Sequence, residues 1–188
     1  MNQNIIPTET ECIEILKEAG AKPLLNHSQR VKKIALAVSK KLISQGIEID
    51  IPLIIASALL HDITKLSATI CHMKEGGELL RSKGLDKIAK IVERHGLTSI
   101  NDPEFTPSTY EEKIIFYSDL RANPGKIVSL KERFEYIKNA YPHIGPKIQT
   151  YYEFAKKIEL ELLGKEPNLE LWHFKIIKIR KYKNLKQK

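Results

Sequence analysis

Apolar positions recur at helical spacing along most of this chain, and short polar interruptions divide it into about seven or eight segments. Thr8 with Glu11 forms a capping-box pattern, and Gly20 closes the first segment. The second helix is predicted to start near Leu25 or Asn26 and to stop at Gly46, with Val31, Ile34, Val38 and Leu42 as its buried stripe. Asp50 can cap a third, with Pro52 tolerated in its first turn. That third segment, IPLIIASALL, has no polar face and belongs in the middle of the domain.

Beyond it the pattern predicts helices from about His72 to Ser82, ended by Gly84, and from about Asp86 to His95, ended by Gly96. The stretch SINDPEFTPS reads as an exposed loop. Ser108 with Glu111 is expected to start a helix that runs through Asp119 and breaks at Asn123-Pro124-Gly125. Ser129 with Glu132 repeats the capping box for a helix to about Ala140. A longer helix then runs to Gly164 with Ile148, Tyr152, Ala155, Ile158 and Leu162 inward. No hairpin pattern stands out in the body, so the fold class is all-α. The final segment, LWHFKIIKIRKYKNLKQK, carries both a strand-like alternation at Trp172, Phe174 and Ile176 and a helical option at Ile176, Ile177 and Ile179.

With 188 residues, the chain suits one domain, taken here as residues 1–164, with a basic extension over 165–188. The net charge of +8 invites a nucleic-acid reading, but its location weakens it. Residues 165–188 hold eight Lys or Arg against two acids, leaving 23 basic and 21 acidic residues before them. The body is nearly neutral and shows no aromatic stacking platform, so nucleic acid is not expected as a partner. No apolar run is long enough to cross a bilayer, and the first residues lack the pattern of an export signal. Two cysteines fit a reducing compartment, and a cytoplasmic location is expected.

Six side chains able to bind metal fall on apolar helix faces. His27 precedes Val31 and Ile34 by four and seven positions, and His95 follows Ile88, Ile91 and Val92 by seven, four and three. His61 and Asp62 end the wholly apolar helix, His72 shares a face with Gly76 and Leu79, and Asp119 lies four after Ile115. Burying all six uncompensated would be prohibitive. Imidazole and carboxylate suit Mn, Fe, Co, Ni or Zn, with Mg also admissible, and the lack of thiolates argues against a structural zinc. Neighbours on a regular helix do not share a face, so His61 and Asp62 can converge only where their helix ends or where the site straddles the line between them; the apolar run stops at this pair.

The order of HSQRV at His27, ALLHDITK at the His61-Asp62 pair and EEKIIFYSDL before Asp119 resembles the HD-domain superfamily of metal-dependent phosphohydrolases. HMKEGGELL at His72 and IVERHG at His95 are similar to the further histidines of its two-metal members. The resemblance covers roughly residues 25–163 and implies a helical bundle with its ligands at the centre. It implies that His27, His61, Asp62 and Asp119 hold one divalent metal, and that Asp62, His72 and His95 hold a second, with Asp62 bridging. The glycine that many relatives carry before the lysine is replaced in ITK, and the paired histidines and glycine-tyrosine-proline signature of cyclic-dinucleotide phosphodiesterases are missing.

The expected activity is hydrolysis of a phosphomonoester or phosphodiester, carried by a nucleotide or another phosphorylated small molecule, through metal-activated water. Asp62 and Lys65 are the expected catalytic residues, and Lys65, Arg30 and Arg121 the expected substrate-binding ones; Arg133 reads as a surface residue. Two rivals stand beside this reading. The first is a di-iron oxygenase of the same fold, whose ligand count matches. The second is a non-enzymatic metal- or nucleic-acid-binding module using the Lys-rich tail. The apolar residues of that tail could also serve a homo-oligomer.

Overall fold

The computed structural model describes residues 5–165 and residue 167. It is an all-α bundle: α1 (Glu9–Glu18), α2 (Leu25–Ile43), α3 (Ile51–Leu60), α4 (His72–Ser82), α5 (Asp86–Glu93), α6 (Tyr110–Leu120), α7 (Leu130–Ala140) and α8 (Ile148–Leu163). The basic segment expected from 165 onward lies, but for Lys165 and Pro167, outside the described residues.

Helix α3 forms the axis of the bundle because nothing on its surface tolerates water. Leu53, Ile54, Ala56, Ala58, Leu59 and Leu60 are all buried, and α1, α2, α5 and α6 pack around it. Each buried Leu or Ile contributes about 1.5–3 kcal/mol of transfer free energy. Its start is fixed by Asp50, whose carboxylate accepts the Leu53 N–H at 3.0 Å, with Pro52 in the first turn. Thr8 and Ser129 cap α1 and α7 through complete capping boxes, as their sequences predict.

Four local details differ from the sequence reading. Helix α6 is capped by Thr109 with Glu112, one residue later than expected, and Glu111 instead accepts the backbone N–H of Asp50 at 3.2 Å. Thr109-x-x-Glu112 and Ser108-x-x-Glu111 are overlapping versions of the same motif, and the tertiary contact of Glu111 selects the later one. The loop after Gly96 is not wholly exposed: Leu97–Asn101 form a 3₁₀ turn with Ser99 buried. Tyr151, rather than Tyr152, is the fully buried tyrosine of α8, with Tyr152 only partly covered. A two-residue hairpin, β1 (Ala122–Asn123) with β2 (Lys126–Ile127), was not anticipated either. Its strands are too short to show alternation, and Pro124-Gly125 make the turn, with Gly125 at φ +77°.

Helices α4 and α5 pack closely through glycines, each of which receives a side chain from the facing segment. A Cβ on Gly76 would meet Thr64 Oγ1 and Val92 at 3.2 Å, and one on Gly77 would strike the Glu93 side chain. One on Gly96, just past α5, would overlap the thioether of Met73 on α4. Glu93 is held by a two-pronged ion pair with Arg81.

The end of α6 is anchored by a buried polar cluster. The Arg121 guanidinium, 1% exposed, pairs with Glu159 of α8 at 2.9 Å and also donates to the Val128 carbonyl and the Tyr117 hydroxyl. Tyr117 in turn donates to Glu159 at 2.9 Å, and burial pushes its phenol pKa upward. Deleting one partner of a buried pair strands the other's charge, at a cost of about 3–5 kcal/mol. Glu159→Ala is therefore expected to lower unfolding stability by about that amount in a urea titration. A loss under about 1 kcal/mol would show that this cluster does not hold the helix end.

Candidate metal centre

Each of the six side chains picked out by the sequence reaches one point beside the C-terminal end of α3. His27 comes from the first turn of α2, His61 and Asp62 directly follow α3, and His72 opens α4. His95 lies two residues past α5, and Asp119 sits in the last turn of α6. His61 and Asp62 converge because the helix stops there: Leu60 is its last residue, and a turn follows.

The donor atoms form two groups that share Asp62. His27, His61, Asp62 and Asp119 make one, and Asp62, His72 and His95 the other, with all ligand atoms of each group within 4.8 Å of one another. In the first, His27 Nε2 lies 2.9 Å from Asp119 Oδ1, 3.2 Å from His61 Nε2 and 3.6 Å from Asp62 Oδ2. His61 Nε2 lies 3.3 Å from Asp62 Oδ2 and 3.6 Å from Asp119 Oδ1. In the second, Asp62 Oδ1 stands 3.4 Å from Nε2 of both His72 and His95. Such separations would suit ligand atoms around an ion bound at about 2.0–2.2 Å.

Three further observations test the fit of a cation. His61 Nδ1 lies 2.9 Å from the Ala58 carbonyl and His95 Nδ1 lies 2.6 Å from that of Val92. A carbonyl only accepts, so each Nδ1 carries a proton and each Nε2 is the nitrogen aimed inward, the one that could bind a metal once it is unprotonated. Asp62 Oδ1 is buried and makes no hydrogen bond among the described residues, the mark of an oxygen suited to a cation. The donors are all nitrogen and oxygen, a set that takes divalent transition metals. His27, His61, Asp62 and Asp119 could hold one ion, and Asp62, His72 and His95 a second.

The electrostatics follow from burial against mutual attraction. Burial opposes charge on Asp62, yet His61 and His95 hold its pKa well below the ordinary carboxylate value; Asp119 is lowered likewise, by His27 and His61. Burial also opposes charge on His61, but Asp62 and Asp119 outweigh it and raise its pKa to about 10. His72 goes the other way, down to about 4, through burial and the neighbouring His95. Burial disfavours charge on Lys65 as well, but Asp119 and Asp62 raise its pKa above the ordinary value, and its Nζ donates to Asp62 Oδ2 at 2.6 Å.

A cleft of about 930 Å³ opens onto this cluster, with His27 and Asp62 in its wall. Five cations line it: Arg30, Lys33, Lys65, Lys126 and Arg133, against Asp62 as the one carboxylate. Arg30 and Lys65 thus stand where the sequence reading places them. Arg121 does not: it is buried in the cluster with Glu159 described above and cannot reach substrate. Its place is taken by Arg133 of α7, read from sequence as a surface residue. Arg133 donates to the Asn123 side chain, stacks over Tyr136 at 5.7 Å and keeps a buried Nε with no hydrogen bond among the described residues. No local signal marks Arg133, because the residues around it come from the hairpin and from the turn after α3. Tyr136 and Tyr141 complete the rim, 44% and 46% exposed.

Comparison with known proteins gives a consistent picture. The family model described as HD domain matches residues 24–123, which include all six clustered residues. A tRNA (cytidine(56)-2'-O)-methyltransferase of Picrophilus torridus is 34% identical over 73% of this chain and 43% of its own length. One of the same name from Thermoplasma volcanium is 31% identical over 82% of this chain and 48% of its own. The chain thus spans about half the length of these curated relatives. An uncharacterized protein of Methanocaldococcus jannaschii is 31% identical, with 58% of this chain and 72% of the relative covered. No solved structure matches. No helix among the described residues is long and apolar enough to cross a membrane.

Elemental analysis by inductively coupled plasma mass spectrometry is expected to find close to two transition-metal ions per chain after reconstitution with Mn, Fe, Co, Ni or Zn, and none in Asp62→Ala. A value near one would remove His72 and His95 from the ligand set. Because a coordinated imidazole must be neutral and His61 holds its proton up to about 10, loading at pH 7 should release protons. Calorimetric titrations in buffers of differing ionisation enthalpy read that release directly, and metal affinity should fall as the pH is lowered.

Proposed function

The chain belongs to the HD-domain superfamily, and from that premise we propose that it is a metal-dependent phosphohydrolase cleaving a phosphomonoester or phosphodiester of a nucleotide. The observation that carries this reading is the continuity of the ligand cluster with a cationic cleft, since His27 and Asp62 belong to both. Divalent ions held by the six ligands would supply a water of lowered pKa and polarise a phosphoryl oxygen. The chain's own residues do the rest. Lys65, against Asp62 at the cleft wall, sits beside the ligand cluster, where charge develops on phosphoryl oxygens. Arg133 offers a fork of donors suited to a phosphate, without a carboxylate partner among the described residues. Arg30, one turn past His27, extends the positive wall away from the metals.

A second reading comes from the relatives named as tRNA methyltransferases, which favour a nucleic-acid partner that the sequence reading did not expect. Methyl transfer itself has less support in this chain. The described residues form a helical bundle around nitrogen and oxygen ligands, and the chain spans less than half of those relatives, leaving more than half of each to carry methyl transfer. The di-iron oxygenase remains the alternative with the same ligand count, and the cationic cleft argues for a phosphorylated substrate instead.

Metal-loaded protein is expected to release inorganic phosphate or cleave a diester from some member of a nucleotide panel, with Asp62→Ala inactive. Lys65→Ala should lower kcat by about 10²–10³-fold, the usual consequence of losing one donor to developing charge. Methyl transfer to tRNA from S-adenosylmethionine with no phosphoester cleavage would overturn the reading, as would oxygen consumption by the iron-loaded protein alone.

A further inference from the structure

The cleft carries more positive charge than one phosphoryl group requires. Arg30, Lys33 and Arg133 have no carboxylate partner among the described residues, and Lys126 has only Glu132, at 4.0 Å. Like charges gathered on one wall repel one another, so the arrangement is favourable only toward a ligand with several negative charges. Two of these charges, Arg30 and Lys33, share one helix face with two polar side chains. Asn26, Gln29, Arg30 and Lys33 lie at i, i+3, i+4 and i+7 on α2 and share one face that lines the cleft. At 1.5 Å per residue this ridge runs about 10 Å away from the turn that carries His27.

The rim adds a second kind of chemistry. Tyr136 and Tyr141 are large aromatic side chains left nearly half exposed at the mouth of a polar cleft, where burial would otherwise be favoured. Exposed tyrosines beside a track of cations match what single-stranded nucleic acid needs: phosphates along a positive groove and bases on aromatic faces.

We propose that the cleft binds a single strand of nucleic acid, whose backbone phosphates follow Arg30 and Lys33 along α2 while bases stack on Tyr136 and Tyr141. One phosphate then lies by Lys65 and Arg133 at the ligand cluster. The proposal rests on the phosphohydrolase reading for the fate of that phosphate, though not for the binding of the strand. A small mononucleotide would fill the end of the cleft nearest the ligands and leave Lys33 unused.

The test is fluorescence anisotropy of the full chain with a labelled ten-nucleotide RNA of mixed, unstructured sequence, and the DNA equivalent, in EDTA so that no cleavage occurs. Salt is varied from about 50 to about 200 mM. Arg30→Ala with Lys33→Ala should weaken binding about tenfold or more and reduce the salt slope by about 1.4. Tyr136→Ala with Tyr141→Ala should weaken it about fivefold or more while leaving the salt slope unchanged. RNA bound more tightly than DNA, or equally, supports the proposal. No binding of either strand overturns it. Binding that survives both double substitutions also overturns it, since the contacts would then lie elsewhere, as on the Lys-rich segment after residue 165. Phosphate release from mononucleotides and cleavage of the labelled strands, both measured beside this with metal-loaded protein, keep the two readings apart. Hydrolysis without strand binding sinks only the strand proposal, whereas strand binding without hydrolysis sinks only the phosphohydrolase.

Discussion

Everything in this molecule accommodates one carboxylate that has no access to water. Asp62 follows the most apolar helix of the chain and is fully buried, with an oxygen that makes no hydrogen bond among the described residues. An ion so placed is tolerated only when positive charge is brought to it. His61 at the helix end and Lys65 in the next turn bring it, while α2, α4 and the end of α5 turn the ring nitrogens of His27, His72 and His95 toward the same carboxylate. The bundle can be understood as a device for converging those groups, with α3 as its dry axis.

That view explains why the supporting structure is so polar. Asp119 must be held at a fixed depth, and it lies two residues before Arg121, which is locked through Glu159 to α8. His61 and His95 are turned by carbonyls three residues back along their own chain, so helix ends, not long-range contacts, orient the rings. Precision is thus obtained from backbone geometry, the stiffest part of the protein.

Much of this was legible in the sequence, for a physical reason. Helical periodicity reports burial, and a histidine or aspartate on a buried face cannot be a solubility device; His27, His95 and Asp119 stand out on that ground alone. Caps are equally local, which is why Thr8, Asp50 and Ser129 were read correctly. Residues whose partners lie far along the chain were not legible. Arg121 stands two positions after a ligand yet turns to Glu159, 38 residues on, instead of to substrate. Arg133, Tyr136 and Tyr141 acquire meaning only when α7 and the segment after it pack on α8 and line the same cleft as α2. The off-by-one cap of α6 has the same origin, since Glu111 was drawn to the start of α3.

The glycine crossing of α4 and α5 bears on how such a protein can drift. His72 opens one of these helices and His95 follows the other, and at Gly76, Gly77 and Gly96 no β-carbon separates the two chains. A side chain at Gly76 would have to displace Thr64 and Val92 by a few tenths of an ångström, and one at Gly77 or Gly96 would have to swing Glu93 or Met73 aside, between the elements that carry His72 and His95. The first ligand group takes its other members from α2, the end of α3 and α6, and is insulated from that damage. The group of Asp62, His72 and His95 is therefore the one that a single missense change at this crossing would disturb, while the group shared by α2, the end of α3 and α6 would keep its geometry.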